Sequence, residues 1–227
     1  MTEGRKINSF KPIPLVDLLG RQSNESKFYG MKPFFKDSVC FVSGAGGSIG
    51  SELCRTLVSF KPSKIIIFER SEPSLFAFEQ EIIPKIDPET SLISILGCAQ
   101  NEELLSNIFN SHEVDYVFHA AAYKHVPLVE ANPLQGILNN VFSTESICKA
   151  ATNSGVKKVT LISSDKAVRP TNVMGASKRL SELLVQAYSE LENKKKYPKT
   201  IFSIVRFGNV LGSSGSVVPT FMKQISS

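Results

Sequence analysis

Three glycines spaced three apart, Gly44, Gly47 and Gly50, punctuate the run Ser43-Gly-Ala-Gly-Gly-Ser-Ile-Gly50. Glycine tolerates positive φ and lets a backbone approach a pyrophosphate, whose charge is favoured by the N-terminus of a following helix. Gly46 adds backbone freedom, and Ser48 and Ile49 complete the turn into that helix. The spacing is G-x-x-G-x-x-G and not G-x-G-x-x-G, and on its own it describes an ordinary tight turn equally well. Glu69 lies 19 positions beyond Gly50. A carboxylate there can accept hydrogen bonds from both adenosine ribose hydroxyls, which favours NAD. The adjacent Arg70 would suit a 2′-phosphate and leaves NADP open. A second constellation runs from Ser163 to Lys178 and contains Ser164, Asp165, Lys166, Met174 and Lys178. Hydroxyl, carboxylate and amine can all move protons, whereas the Met174 thioether has none to give and is a poor acceptor. The plain alternative for Asp165 and Lys166 is a surface ion pair worth little.

Placement decides between these readings. Apolar runs at 39–42, 64–68, 92–96, 114–119, 158–163 and 200–207 are rich in Val, Ile and Phe, as strands buried on both faces should be. Helical patterns fall between them near 51–59, 72–83, 101–111, 133–153 and 175–193. Repeated strand-helix alternation predicts an α/β fold with a doubly wound parallel sheet, because parallel neighbours need crossover helices. The glycine run then follows the first strand, Glu69 ends the second, and Asp165-Lys166 ends the fifth. Open α/β sheets place their sites at these carboxyl ends. Residues 1–37, with Pro12, Pro14, Pro33 and a polar stretch from Arg21 to Lys27, read as an arm or linker, and 38–227 as the dinucleotide-binding domain.

Composition narrows the class. The chain has 227 residues and a formal charge of +5, much of it in Lys194, Lys195, Lys196 and Lys199 around a polar turn. No aromatic platform accompanies those lysines, so a solvated helix end is expected and nucleic acid is not a predicted partner. Cys40, Cys54, Cys98 and Cys148 lack metal-ligand or disulfide spacing. Reduced structural thiols in a cytoplasmic protein are expected, with no metal. No apolar run is long enough to suggest a membrane span, and the N-terminus lacks a signal-peptide pattern.

Five ordered blocks carry a resemblance: GAGGSIGSEL at 44–53, HAAAYKHVPLVE at 119–130, NNVFST at 139–144, SSDKAVRPTNVMGASKR at 163–179 and RFGNVLGSSGSVVP at 206–219. Together they resemble the extended short-chain dehydrogenase/reductase superfamily. Within it they resemble the bacterial UDP-N-acetylglucosamine 4,6-dehydratases of polysaccharide biosynthesis, in the subgroup with methionine in place of tyrosine. The resemblance implies conversion of UDP-N-acetylglucosamine, or a similar UDP-sugar, to a 4-keto-6-deoxy product. C4 is oxidised, water is eliminated across C5 and C6, and hydride returns to C6. It assigns the elimination to Asp165 and Lys166 without fixing which does which; our own reading makes Lys166 the base at C5 and Asp165 the acid at O6. Ser164 would bond the C4 oxygen. Lys178 would bind the nicotinamide ribose and, since Met174 cannot, is the first candidate to take the C4 proton.

For cofactor contact the resemblance points to Ala120, Ala121, Ala122 and Asn140. The usual aspartate after the third strand is missing from Gly97-Cys98-Ala99-Gln100, which leaves Gln100 or backbone for the adenine. Lys124, Arg206 and Asn209 would face the substrate, with His125 an accessory. Arg206 could equally tie its strand end to neighbouring groups. Relatives continue for roughly another hundred residues, the size of a small domain, so most of the substrate domain is expected to lie beyond this sequence. In membrane-anchored relatives the N-terminal arm corresponds to a linker after transmembrane helices. Self-association is expected by analogy. A UDP-sugar 4-epimerase shares the fold but needs no elimination pair, and a non-catalytic dinucleotide-binding module would need none of the lysines.

Overall fold

Alternating β-branched and aromatic side chains with both faces apolar form six strands: β1 (Val39–Ser43), β2 (Lys64–Glu69), β3 (Ser91–Leu96), β4 (Tyr116–His119), β5 (Lys158–Ser164) and β6 (Ile201–Phe207). In β1, Phe41 faces one side while Cys40 and Val42 face the other; in β2, Ile66 and Phe68 oppose Ile65 and Ile67. All neighbours pair parallel, in the order β3-β2-β1-β4-β5-β6. The expected doubly wound sheet is therefore present, with the order reversing between β1 and β4. The computed structural model describes residues 30–196, 199–210 and 221. Met31–Gly208 form one compact unit, and the other described residues, Gly30, Asn209, Val210 and Phe221, fall in a second.

The connecting helices are α1 (Lys32–Phe35), α2 (Ser48–Val58), α3 (Glu72–Ile82), α4 (Glu102–His112), α5 (Val126–Ala131), α6 (Pro133–Ile137), α7 (Ser143–Ser154) and α8 (Val173–Asn193). Helices α4 and α7 cover one face of the sheet through Leu105, Phe109, Ile147 and Ala151. Helices α2 and α3 cover the other through Cys54, Leu57, Phe78 and Ile82. Side chains that mimic a backbone acceptor start three of the helices: Ser71, Asn101 and Asn172 accept from Ser74, Leu104 and Gly175 N–H respectively.

Three expectations shift. The first helix begins at Ser48, not near Ser51, so the last glycine of the loop, Gly50, is already helical. The helix expected over 133–153 is divided into α6, a π-helical turn at Leu138–Phe142, and α7. A short helix, α5, precedes it with Pro127 in its first turn, where a missing N–H costs nothing. The expected arm also ends earlier than residue 37. Phe35 is buried against Phe60, Tyr116 and Phe118, which ties α1 into the compact unit. The rest of that arm, residues 1–29, lies outside the described residues. Among the described residues no helix is long and apolar enough to cross a membrane, and no His, Cys, Asp and Glu cluster could hold a metal ion. All four cysteines are free, and burial pushes the Cys40 and Cys148 thiols up to about 12.

Candidate active site

The glycine loop lines one wall of a cleft of about 350 Å³ at the carboxyl ends of β1 to β4. At Gly44 the chain turns with φ +68°, and a Cβ there would lie 2.7 Å from the Ala121 backbone. No side chain could occupy that contact, which is why β1 and the Ala120–Ala122 segment can converge. The loop is tied to β2 from both sides. Gly44 N–H donates to the Phe68 carbonyl at 2.9 Å, and Gly46 N–H donates to Glu69 Oε2 at 3.2 Å. Glu69 Oε1 accepts from the Arg70 and Ser71 N–H groups at 2.9 and 3.1 Å. Helix α2 carries no capping side chain at Gly47, so its N-terminus, with Ser48 and Ile49 in the first turn, retains the dipole that suits a phosphate.

Glu69, Arg70, Gly46, Gly47 and the three alanines all line this cleft, as does Tyr123. Arg70 reaches across it: its guanidinium donates to Asn139 Oδ1 at 2.9 Å and lies 5.5 Å from the centre of the Tyr123 ring. Gln100 stays outside. Its side chain is exposed and its carbonyl accepts from Ser146 Oγ, while Gly97 and Ala99 form that part of the wall.

Beneath the cleft is a buried polar network that links Asn140 to Ser43, His119 and Thr144, three residues to which sequence reading gave no role. Thr144 Oγ1 donates to the Asn140 carbonyl at 2.7 Å, so its proton is committed. The 3.2 Å contact between Thr144 Oγ1 and His119 Nε2 therefore requires His119 to donate. His119 Nδ1 is then an acceptor, and Ser43 Oγ donates to it at 2.7 Å while accepting from Ala121 N–H at 3.4 Å. A neutral imidazole satisfies every partner. Burial, with the Lys178 charge adding to it, pushes the His119 pKa down to about 3. Asn140, expected at the cofactor, spends all four of its hydrogen-bonding positions inside the protein. Its Nδ2 donates to the Tyr123 carbonyl and Ser177 Oγ, and its Oδ1 accepts from Tyr123 N–H and Asn139 Nδ2. It thereby joins the loop after β4 to the π-helical turn and to α8.

At the end of β5, Asp165–Ala167 form a turn of 3-10 helix whose cap is Ser164 Oγ, accepting from Lys166 N–H at 3.2 Å. Asp165 Oδ1 accepts from Lys166 Nζ at 3.2 Å and from Ser164 Oγ at 3.0 Å. Those bonds, Lys166 first, hold the Asp165 carboxyl below the usual carboxylate range. Both side chains of the pair are partly exposed to solvent, Asp165 the more so. Helix α8 packs closely on this turn, since a Cβ on Gly175 would meet the Lys166 carbonyl oxygen at 2.4 Å. Its N-terminus is fixed from α5, where a Glu130 carboxylate oxygen accepts from Val173 N–H.

Met174 and Lys178, one turn apart on α8, are both buried. Lys178 Nζ donates to the Ile162 carbonyl at 2.7 Å, and burial pushes its pKa down to about 8, with the Glu182 charge opposing. Of the two readings of Arg206, the structure shows the tie to a neighbouring group. Its guanidinium forks onto Glu182, with Nε to Oε1 at 2.7 Å and a terminal nitrogen to Oε2 at 2.5 Å. Lys124 and His125 are exposed at the start of α5, and Asn209 belongs to the second unit.

The sequence matches the profile described as "Polysaccharide biosynthesis protein" over residues 40–227. It is 40% identical over 222 residues to the capsular polysaccharide biosynthesis protein CapD of Staphylococcus aureus, covering 98% of this chain and 36% of that protein. It is 37% identical to a UDP-N-acetylglucosamine 4,6-dehydratase (inverting) of Campylobacter jejuni, covering 85% of this chain and 55% of that enzyme. Rickettsia proteins named UDP-glucose 4-epimerase match at 36 and 37% identity, with 84% of this chain and 54% of theirs covered. Among solved structures, Pen from Bacillus thuringiensis superposes with a TM-score of 0.78 at 38% identity, over 86% of this chain and 57% of Pen. The chain thus spans between about a third and just over half the length of these relatives.

Proposed function

Because the chain belongs to this polysaccharide biosynthesis protein family, we propose that the protein is a nucleotide-sugar 4,6-dehydratase acting on UDP-N-acetylglucosamine or a similar UDP-sugar. The observation that carries the reading is the Asp165-Lys166 pair at the carboxyl end of β5, joined at 3.2 Å, with a buried methionine where a proton-carrying tyrosine would otherwise stand on α8. An elimination needs a base at C5 and an acid at O6, and two adjacent titratable groups at one strand end supply both. A 4-epimerase needs neither.

We read the cleft as a dinucleotide site, a reading supported by the glycine wall of Gly44, Gly46 and Gly47 and by the α2 N-terminus, which carries no side-chain cap. NAD bound there would supply reversible oxidation at the sugar C4 carbon. Glu69, with its carboxylate facing the glycine loop, favours the cofactor without a 2′-phosphate, while the Arg70 guanidinium is engaged across the cleft by Asn139 and Tyr123. Lys178, held near a pKa of 8, is neutral in a substantial fraction of molecules near that pH and is the group we assign to the C4 hydroxyl proton. Ser164 would bond the C4 oxygen. In the elimination, Lys166 as base and Asp165 as acid require one proton to pass from ammonium to carboxylate across their existing contact.

The test is incubation of the full-length protein with UDP-N-acetylglucosamine and NAD, followed by mass spectrometry for loss of one water. Unchanged mass with inversion at C4 would select the epimerase, the reading that the Rickettsia relatives favour. Lys166→Ala should keep NAD binding and lose dehydration; undiminished product would remove Lys166 from the mechanism.

A further inference from the structure

Glu182 lies two helical turns beyond Met174 and one beyond Lys178 on the same face of α8, and its side chain is fully buried. Its Oε1 accepts from Ser163 Oγ at 2.6 Å and from Arg206 Nε at 2.7 Å. Its Oε2 accepts from Arg206 at 2.5 Å and from Arg179 at 3.0 Å. These bonds hold its pKa at about 2 against the effect of burial. Ser163 and Arg206 are direct partners in the β5-β6 ladder, and the next step of that register is Ser164 with Phe207. The carboxylate therefore straddles two strands one residue before the turn that carries Asp165 and Lys166.

We infer that Glu182 is a positioning residue: by gripping Ser163 and Arg206 together it fixes the carboxyl ends of β5 and β6 against α8 and so sets where the Ser164–Lys166 turn stands. Strand pairing does not need the grip, because β5 and β6 already share seven register pairs, from Lys158 with Ile201 to Ser164 with Phe207. A buried ion pair is also weak as a source of stability, since apolar residues of similar volume often serve as well. What a carboxylate in this position adds is direction. A bidentate Arg fork fixes both angle and distance, and the serine bond transfers that constraint to the last residue before the site. The consequence for catalysis rests on the dehydratase reading; the consequence for the turn does not.

The experiment uses the full-length protein with Glu182→Gln, and with Ser163→Ala and Arg206→Lys as milder variants that leave the carboxylate partnered. Hydrogen exchange by mass spectrometry is followed at residues 164–168 and, for comparison, at 40–43 in β1. NAD affinity, kcat and KM for UDP-N-acetylglucosamine are measured alongside. Positioning predicts exchange at 164–168 accelerated by about tenfold or more with 40–43 unchanged. It also predicts NAD affinity within about threefold, and kcat reduced by up to about a hundredfold with little change in KM, as expected for a displacement near 1 Å. Arg206→Lys, which keeps charge but loses the fork, should fall between wild type and Glu182→Gln. Unchanged exchange at 164–168, or equal acceleration at both segments, would overturn the inference. If Glu182→Gln does not fold, Ser163→Ala decides by the same comparison. Should the wild-type protein not dehydrate the sugar, the dehydratase reading fails and the exchange comparison still settles the role of Glu182.

Discussion

Replacing Gly175 with alanine perturbs the site through a single methyl group. That methyl would stand 2.4 Å from the Lys166 carbonyl oxygen and 3.2 Å from its carbon, both backbone atoms. A carbon-oxygen contact is comfortable at about 3.3 Å or more, so the first turn of α8 and the Asp165–Ala167 turn must separate by about 1 Å. Overpacking of this kind costs about 1–3 kcal/mol, and the better helix propensity of alanine returns a fraction of about 1 kcal/mol. A net loss of about 2 kcal/mol corresponds to a fall in Tm of about 4–8 °C for a domain of this size. The same displacement moves Lys166, and about 1 Å at a reacting group can cost about a hundredfold in rate. The cleft around Gly44 and Glu69, where we propose that NAD binds, lies across β4 and should be unaffected. Calorimetry, NAD titration and product mass spectrometry on the full-length Gly175→Ala protein therefore have a combined signature: lower Tm, turnover reduced by about one to two orders of magnitude, and NAD affinity within about threefold. Wild-type melting and turnover together would refute the proposed coupling of α8 to the Asp165–Ala167 turn, as would loss of NAD binding alone.

Further expectations come from the buried titratable groups and the glycine loop. The His119 pKa, at about 3, lies below its usual 6.5, so the unfolded chain takes up a proton that the native chain refuses. Its contribution to stability is complete above pH 6.5 and is lost as pH falls toward 3. By about pH 4.5 this amounts to about 3 kcal/mol. Urea unfolding at both ends of that range should show His119→Gln losing less stability than wild type over the interval; parallel losses would contradict a neutral His119 in the native chain. Lys178 also has a depressed pKa, about 8 against 10.5, which means stability rises with pH between those values, by on the order of 3 kcal/mol. Lys178→Met should consequently be more resistant to urea near neutrality, with the advantage gone by about pH 10.5, and should abolish turnover. In the wild type kcat should rise with a midpoint near pH 8; a flat profile would remove Lys178 as the C4 base. Glu69→Ala frees three backbone N–H groups and should weaken NAD binding by about tenfold while leaving NADP binding unchanged or stronger, as measured by calorimetric titration.

The parts of this fold that depend on local pattern were legible in the sequence. Strand positions follow from runs of apolar residues and agree within one or two residues, and the glycine loop, Glu69 and Asp165 fall at strand ends as expected. What depends on tertiary partners was not legible. Nothing in Leu138–Phe142 marks a π-helical turn, because it is held by Asn139 and Asn140 bonding to a loop and to a helix far along the chain. Arg206 was read either toward the substrate or toward groups near its own strand end, and its sequence neighbourhood does not choose between them because its partner Glu182 resembles an exposed helix residue; the structure realises the second. A signal did exist: Met174, Lys178, Ser181, Glu182 and Val185 recur at helical spacing, and a stripe that ends in Val185 marks the buried face. An acidic residue within that stripe demands a cationic partner. Gln100 failed for the opposite reason, as the small residues Gly97 and Ala99 leave the backbone itself to form the wall.

The π-helical turn between α6 and α7 has a mechanical meaning. A regular helix advances its side chains by about 100° per residue, so a rod that must show Asn140 to the cleft loop and, further on, Ile147 and Ala151 to the sheet is bound to a single phase. The wider turn inserts a phase shift, letting the polar end and the apolar end of one continuous rod obey separate registers. Removing one residue from Leu138–Phe142 would cancel that shift and force a choice: either Asn140 releases Tyr123 and Ser177, or α7 rotates its apolar stripe off the core. The irregular turn thus lets the cleft and the core of this protein change independently.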